Sequence, residues 1–233
     1  MPDITLNAVV LRATNYRESD RMLTLLSPER GRIDAIARGC RKSTSRLLPA
    51  SQLFASGEFL FSERKNATTQ YMSLRSAYIH DAFFPIASNY DALQNAVYLL
   101  EWCLRVIQPG QNTEELFSLL LTSLTHFAYG DLRPGRVTAV FLARLSVVLG
   151  VKPAIDACAH CGVSSPVPRL WDAAMGGVVC KQCVPSAPPV ESEALDAFAE
   201  ALTCDASFAL KATDQAMRSM RTLMMRFLDC TLA

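Results

Sequence analysis

Two pairs of cysteines, Cys158-Ala159-His160-Cys161 and Cys180-Lys181-Gln182-Cys183, stand eighteen residues apart in a chain of 233. Each Cys-x-x-Cys pair places two thiols on one tight turn, and a return strand between the pairs can bring the turns together as a tetrahedral set of four sulfurs. Such a set suits one structural Zn²⁺, with Cys158, Cys161, Cys180 and Cys183 as ligands and no open position left for catalysis. The sequence between the pairs agrees with this geometry. Gly162 follows the first pair where the backbone must turn, Gly176-Gly177 sits where a hairpin must reverse, and Val178-Val179 supplies a short strand into the second pair. Ordinary buried or redox cysteines rarely fall into two such pairs by chance, so the expectation is a zinc-binding module at residues 154–186. His160, inside the first pair, is expected to face solvent rather than to add a fifth ligand.

The rest of the chain is long enough for two or three modules, and half of it is apolar, which excludes disorder. The most apolar stretch, residues 137–151, is interrupted by Arg144 and is too short to span a bilayer. Asp3, Asn7 and Arg12 break any signal-peptide core at the N-terminus. A soluble, cytoplasmic protein without membrane contact is expected. The remaining cysteines, Cys40, Cys103, Cys204 and Cys230, are scattered without pairing logic, which fits a reducing compartment.

Charge is unevenly spread. Residues 1–80 hold twelve Lys or Arg against seven Asp or Glu, whereas residues 81–233 hold eleven against fifteen. The basic front of the chain is compatible with a polyanion site. Its hydropathy alternates with a period of two, which predicts strands near Ile4–Arg12, Arg21–Ser27, Arg32–Arg38, Leu53–Phe61 and Tyr71–Tyr78. Five short strands in about eighty residues point to a small closed barrel, foremost an OB-fold, although an SH3-like barrel would give a similar pattern. Between the second and third strands, Ser27-Pro28-Glu29-Arg30-Gly31 predicts a tight reversal with Gly31 at positive φ. After the third strand, Gly39-Cys40-Arg41-Lys42-Ser43-Thr44-Ser45-Arg46 offers cations and hydroxyls with almost nothing to bury, and predicts a mobile basic loop. Arg41, Lys42 and Arg46 there, extended by Arg30, Arg32 and Arg38, are the candidate contacts to nucleic-acid phosphates. Tyr16, in a stretch (13–20) that predicts a polar loop, is the candidate stacking platform, while Phe59 and Phe61 are expected in the core.

Beyond Phe84-Pro85 the period lengthens to about 3.6. Asn89 is expected to cap a helix through Ile107 whose apolar face carries Leu93, Val97, Leu100, Leu104 and Ile107; Thr113 to cap a second through about Ala128; and Pro134 to open a third ending at Gly150. Short connections suggest that these three form one antiparallel bundle. Pro185 to Pro189 reads as a rigid connector, followed by helices at Ser192–Thr203 and from Thr213 to about Leu228. The methionines of the last helix, Met217, Met220, Met224 and Met225, are expected to fill core, and Arg218, Arg221 and Arg226 to form a solvated face. The fold class is therefore α+β: an N-terminal five-stranded OB-fold barrel (1–80) that binds nucleic acid, then a helical domain (81–233) carrying the four-cysteine zinc module.

His80, His126 and His160 lack nucleophile or carboxylate partners at motif spacing, and no Gly-rich phosphate loop is present, so the sequence argues against an enzyme. Four stretches stand out in order: Ser19-Asp20-Arg21-Met22-Leu23-Thr24-Leu25-Leu26-Ser27 with Gly31-Arg32-Ile33, Ala37-Arg38-Gly39 and its basic loop, Leu145 to Pro153 leading into Cys158-Ala159-His160-Cys161-Gly162, and Gly176-Gly177 ahead of Cys180. With this order of parts, the chain resembles the RecO family of bacterial recombination mediators and DNA repair proteins. The resemblance implies a non-enzymatic role in the RecF pathway: binding single- and double-stranded DNA, annealing complementary strands, and working with RecR to place RecA on DNA coated by the single-strand binding protein SSB, itself a further partner. It also implies association with the nucleoid during repair. The competing reading from the residues alone is a zinc-stabilised protein–protein adaptor whose basic loop is merely solvated. A third would use the cysteine pairs as redox dithiols.

Overall fold

The computed structural model describes residues 3–62 and 71–232. The chain divides into two compact units, Met1–Gly130 and Asp131–Ala233. In the first, strands β1 (Asp3–Tyr16), β2 (Asp20–Ser27), β3 (Gly31–Ala37), β4 (Ser56–Ser62) and β5 (Met72–Asp81) close into a barrel of order β1-β2-β3-β5-β4. All neighbours are antiparallel except β3 and β5, which pair in parallel at Ala35↔Met72 and Ile36↔Ser73. This is the Greek-key order of an OB-fold, as the alternation predicted.

Closure depends on β1 serving two neighbours. It pairs with β4 from Asp3 to Val9 and with β2 from Val9 to Tyr16, bending at a bulge between Val10 and Arg12. A bulge sharpens the bend that a small barrel needs. Two expectations change as a result. The predicted polar loop 13–20 is mostly strand, leaving only Arg17–Ser19 as the turn. Leu53–Ala55 lies outside β4: Phe54 adopts φ +69 and donates to the Val10 carbonyl, and Val10 donates to Ala55. Inside the barrel, Leu23, Leu25, Ile33, Phe59, Phe61 and Leu74 are buried, and the Phe59 and Phe61 rings stack with centroids 6.1 Å apart. The outward residues of β3 are the even-numbered ones.

Helices α1 (Tyr90–Val106) and α2 (Glu114–Tyr129) complete the first unit. Asn89 caps α1 by accepting from the Ala92 N–H, as predicted. Its buried stripe, however, is Ala92, Ala96, Leu99, Leu100 and Cys103, rotated from the predicted face, so that Leu93, Val97 and Leu104 only flank it. Small side chains at the centre of the stripe allow close approach, and the larger ones reach in from its edges. Thr113 begins α2 without capping it; its hydroxyl instead donates to the Ser27 carbonyl at 2.8 Å, and Asn112 accepts from Glu114. The α1–α2 connection is locked onto the β2–β3 reversal by Gly110 N–H to Arg30 O (2.8 Å), Thr113 N–H to Pro28 O (2.8 Å) and Arg32 N–H to Gln108 O (3.1 Å). Gly31 is required there: its φ is +62, and a Cβ would lie 2.3 Å from the Gln108 oxygen.

The second unit holds α3 (Pro134–Val148), the short hairpin β6 (Leu170–Asp172) and β7 (Gly177–Val179), α4 (Ser192–Thr203) and α5 (Asp214–Thr231). The predicted bundle of the first three helices is thereby corrected. The main-chain lock just described assigns α1 and α2 to the barrel, while α3 packs with α4 and α5. Helix α3 is buried from Val137 through Ala143, and its two arginines hold the α4–α5 connection. Arg136 donates to the carbonyls of Leu210 and Ala212 and to Asp214, and Arg144 donates to those of Ala201 and Cys204 while lying 4.9 Å over the buried Phe208 ring. Met217, Met220 and Met224 fill core, as expected of that stripe.

Candidate metal centre and nucleic-acid interface

The two cysteine pairs meet. Cys158 N–H donates to Val163 O (2.9 Å) and Gly162 N–H to Cys158 O (2.8 Å), closing the first knuckle; Cys183 and Val184 N–H groups both donate to Cys180 O (3.1 Å each), closing the second. The β6–β7 hairpin joins them in the register Leu170↔Val179, Trp171↔Val178 and Asp172↔Gly177. Gly177, at φ +138, presses against Ala154, whose oxygen would be 2.3 Å from an added Cβ. The sulfurs of Cys158, Cys161, Cys180 and Cys183 all lie within 4.8 Å of one another, and those of Cys161 and Cys180 are 3.8 Å apart. A tetrahedron of sulfurs about 2.3 Å from a central ion has edges of about 3.8 Å, so the four residues could hold a metal ion.

Electrostatics prepare one ligand in advance. The Cys161 backbone N–H, aimed at the Cys158 sulfur, pulls that thiol down to about 6 against the opposing effect of burial, and the Cys180 N–H adds to it from 3.3 Å. Cys183 is pushed up to about 12, chiefly by its contact with the Cys180 thiol and then the Cys161 thiol. A cation would convert such a proton-sharing group into four thiolates. His160 is exposed, as expected of a knuckle residue.

The second candidate region is the barrel end at the β1–β2 turn. The Asp20 carboxylate accepts from the Gly39 N–H at 2.8 Å, which holds it below its ordinary value, with Ser19, Arg17 and Arg38 contributing further. Arg41 N–H donates to Ser19 O at 3.0 Å, and its guanidinium donates to Glu18 O at 2.8 Å. The expected basic loop is therefore a chain of turns tied to the β1–β2 turn, with Cys40 buried in the barrel core. This junction brings Arg17, Arg38 and Arg41 to one end of the barrel.

Models of two families, described as Recombination protein O N terminal and Recombination protein O C terminal, match residues 1–82 and 87–233. The chain belongs to the RecO family. Proteins named DNA repair protein RecO are similar over most of its length. That of Anaeromyxobacter sp. (strain K) is 35% identical over 192 residues, 81% of this chain and 73% of its own. That of Anaeromyxobacter dehalogenans (strain 2CP-1 / ATCC BAA-258) is 36% identical over 187 residues, 78% and 71%. That of Desulfitobacterium hafniense (strain DSM 10664 / DCB-2) is 36% identical over 179 residues, 76% and 63%.

In this RecO-family chain the six candidate phosphate contacts fall into two groups. Arg38, Arg41, Lys42 and Arg46 are exposed around the junction, whereas Arg30 and Arg32 lie at the other end of β3, a strand of seven residues and so about 20 Å long. Arg32 there is half-buried and ion-paired with Asp34 at 2.9 Å. Sequence reasoning missed Arg17, whose guanidinium lies 5.2 Å from the Tyr16 ring, and Tyr71, which lines the same surface depression as Tyr16. Arg17 could have been found once the strand was extended to Tyr16. Tyr71 could not, because only the parallel β3–β5 pairing brings it there. Among the described residues no helix is long and apolar enough to cross a membrane.

Proposed function

We propose that this RecO-family chain is a non-enzymatic DNA repair and recombination mediator whose barrel binds single- and double-stranded DNA through phosphates. What supports this is the hydrogen-bonded junction of the β1–β2 turn and the basic segment, which brings Arg17, Arg38 and Arg41 to one barrel end, with Lys42 and Arg46 following in the same run of turns. Cations on a fixed frame neutralise phosphates and release counterions without reading sequence. Screening two complementary strands on one protein also promotes their annealing, with no need of ATP. With RecR, the chain would place RecA on DNA coated by SSB, in the cytoplasm at the nucleoid. The metal would be one structural Zn²⁺, the ion that four thiolates in a closed tetrahedron select, and it would hold the module's shape and take no part in chemistry.

Salt titration tests the DNA contacts. Lys42→Ala combined with Arg46→Ala is expected to flatten the dependence of log affinity on log salt for single-stranded DNA by about 1 to 2 units, since each lost contact accounts for about 0.7. An unchanged slope, or no binding at low salt, would instead favour a protein–protein adaptor. That alternative has its own support in Arg32 and Arg41, part of whose donor capacity is already engaged by Asp34 and by main-chain carbonyls.

A further inference from the structure

We infer that the depression beside the β1–β2 turn is a pocket for one unstacked nucleobase, which lets the barrel distinguish single-stranded from paired DNA. The inference rests on the DNA-binding reading and adds to it the part of the ligand that is gripped. The cavity measures about 340 Å³, near the lower limit of the roughly 300–1,000 Å³ typical of ligand sites. Its floor is a row across three strands: Met22 of β2 is the direct cross-strand partner of Ile36 in β3, which pairs in turn with Ser73 of β5. Tyr16 and Tyr71 line it while remaining 41% and 50% exposed.

The barrel's own packing does not account for these rings. Its structural aromatics, Phe59 and Phe61, are fully buried on the opposite face of the sheet, whereas Tyr16 and Tyr71 leave large aromatic surfaces in water over an apolar floor. Bases stack on such rings whatever their identity, because every base has a π-face. Arg17, held near the Tyr16 ring, and Arg38, which also lines the cavity, supply charge for the flanking phosphates. Paired DNA hides its base faces inside the stack, so a duplex can meet the arginines but cannot fill the pocket.

The test compares the full chain's affinity, over one shared series of salt concentrations, for oligothymidine and for an abasic oligomer of equal length. Wild type is expected to bind oligothymidine roughly 10-fold more tightly, in the range of one stacked base. Tyr16→Leu combined with Tyr71→Leu should remove that gap and leave the salt slope unchanged, while Tyr16→Phe with Tyr71→Phe should retain it. Equal wild-type affinities for the two oligomers, or a gap that survives in the leucine variant, would overturn the pocket and leave phosphate binding standing. Wild type that binds neither oligomer would overturn the DNA-binding reading as well.

Discussion

The barrel and the cysteine module are both small β structures, yet different forces hold them. The barrel has no free sheet edge, since every strand pairs on both sides, and it encloses Leu23, Leu25, Ile33, Phe59, Phe61 and Leu74. The module has two three-residue strands and a core in which Leu170 and Val179 are buried beside two of the cysteines themselves. Burial at about 25 cal/mol per Å² of apolar surface is enough to fold the first. The second has too little apolar surface to offset the entropy of ordering some thirty residues, so its shape is expected to depend on an ion that the four sulfurs could hold. The same sheet hydrogen bonding is thus self-sufficient in one region and conditional in the other.

The largest effect should come from removing that condition. Protein purified without chelators is expected to contain about one zinc per chain. Stripping it, or making Cys180→Ser, should abolish amide hydrogen-exchange protection across the knuckles and the β6–β7 hairpin and lower solubility and melting temperature, while β1 to β5 stay protected. Metal-free protein that melts like wild type would erase the contrast and would revive a redox role for the cysteine pairs.

The opposite perturbation acts on the barrel. Phe61→Ala empties a fully buried site beside Phe59, and a cavity of that kind costs about 3–5 kcal/mol. The two tryptophans separate the regions, with Trp102 in α1 of the first unit and Trp171 in β6 of the second. In a Trp171→Phe background, the unfolding of the first unit read at Trp102 should shift to lower denaturant for Phe61→Ala. Zinc content should not change. Loss of zinc on Phe61→Ala would show that the module depends on the barrel for its fold.

The contrast also explains which features were legible in the sequence. The candidate metal site was legible because four cysteines at fixed spacing are nearly sufficient to define it, and the barrel because alternation marks a half-buried strand wherever it occurs. The end of β1 was hidden: residues 13–16 include no strongly apolar alternation, and they are strand only because they pair with β2. The allocation of α3 was hidden for the opposite reason, since a helix buried from Val137 through Ala143 has no polar face to say which side meets a partner. Thr113 had the right residue type for a cap, but a carbonyl distant in sequence, that of Ser27, claimed its hydroxyl. Of the base pocket only Tyr16 was legible, because Met22, Ile36 and Tyr71 join it only through barrel closure.

The smallest effect on overall stability, and the sharpest on the interface, is expected at Asp20. Its carboxylate ties the β1–β2 turn to Gly39, so its expected effect on DNA affinity is to position the cations around it. Asp20→Asn keeps an oxygen to accept the Gly39 N–H and removes a negative charge beside Arg17 and Arg38, whereas Asp20→Ala removes both the charge and the acceptor. The local net charge becomes more positive by the same amount in the two variants, so a purely electrostatic role would raise single-stranded DNA affinity equally in both. A positioning role has Asn binding at least as well as wild type and Ala binding more weakly, with the melting temperature little changed in either. The pH dependence follows from the sign of the shift. A carboxyl held below its ordinary value of 3.8 stabilises the junction at every pH above that value and loses its effect only as the pH falls further, through the lowered folded-state value. Titration of Asp20 should therefore leave DNA affinity level across the neutral range, and a wild-type loss of affinity between pH 7 and about 5 that Asp20→Asn abolishes would show that the Gly39 bond does not hold the carboxylate as described.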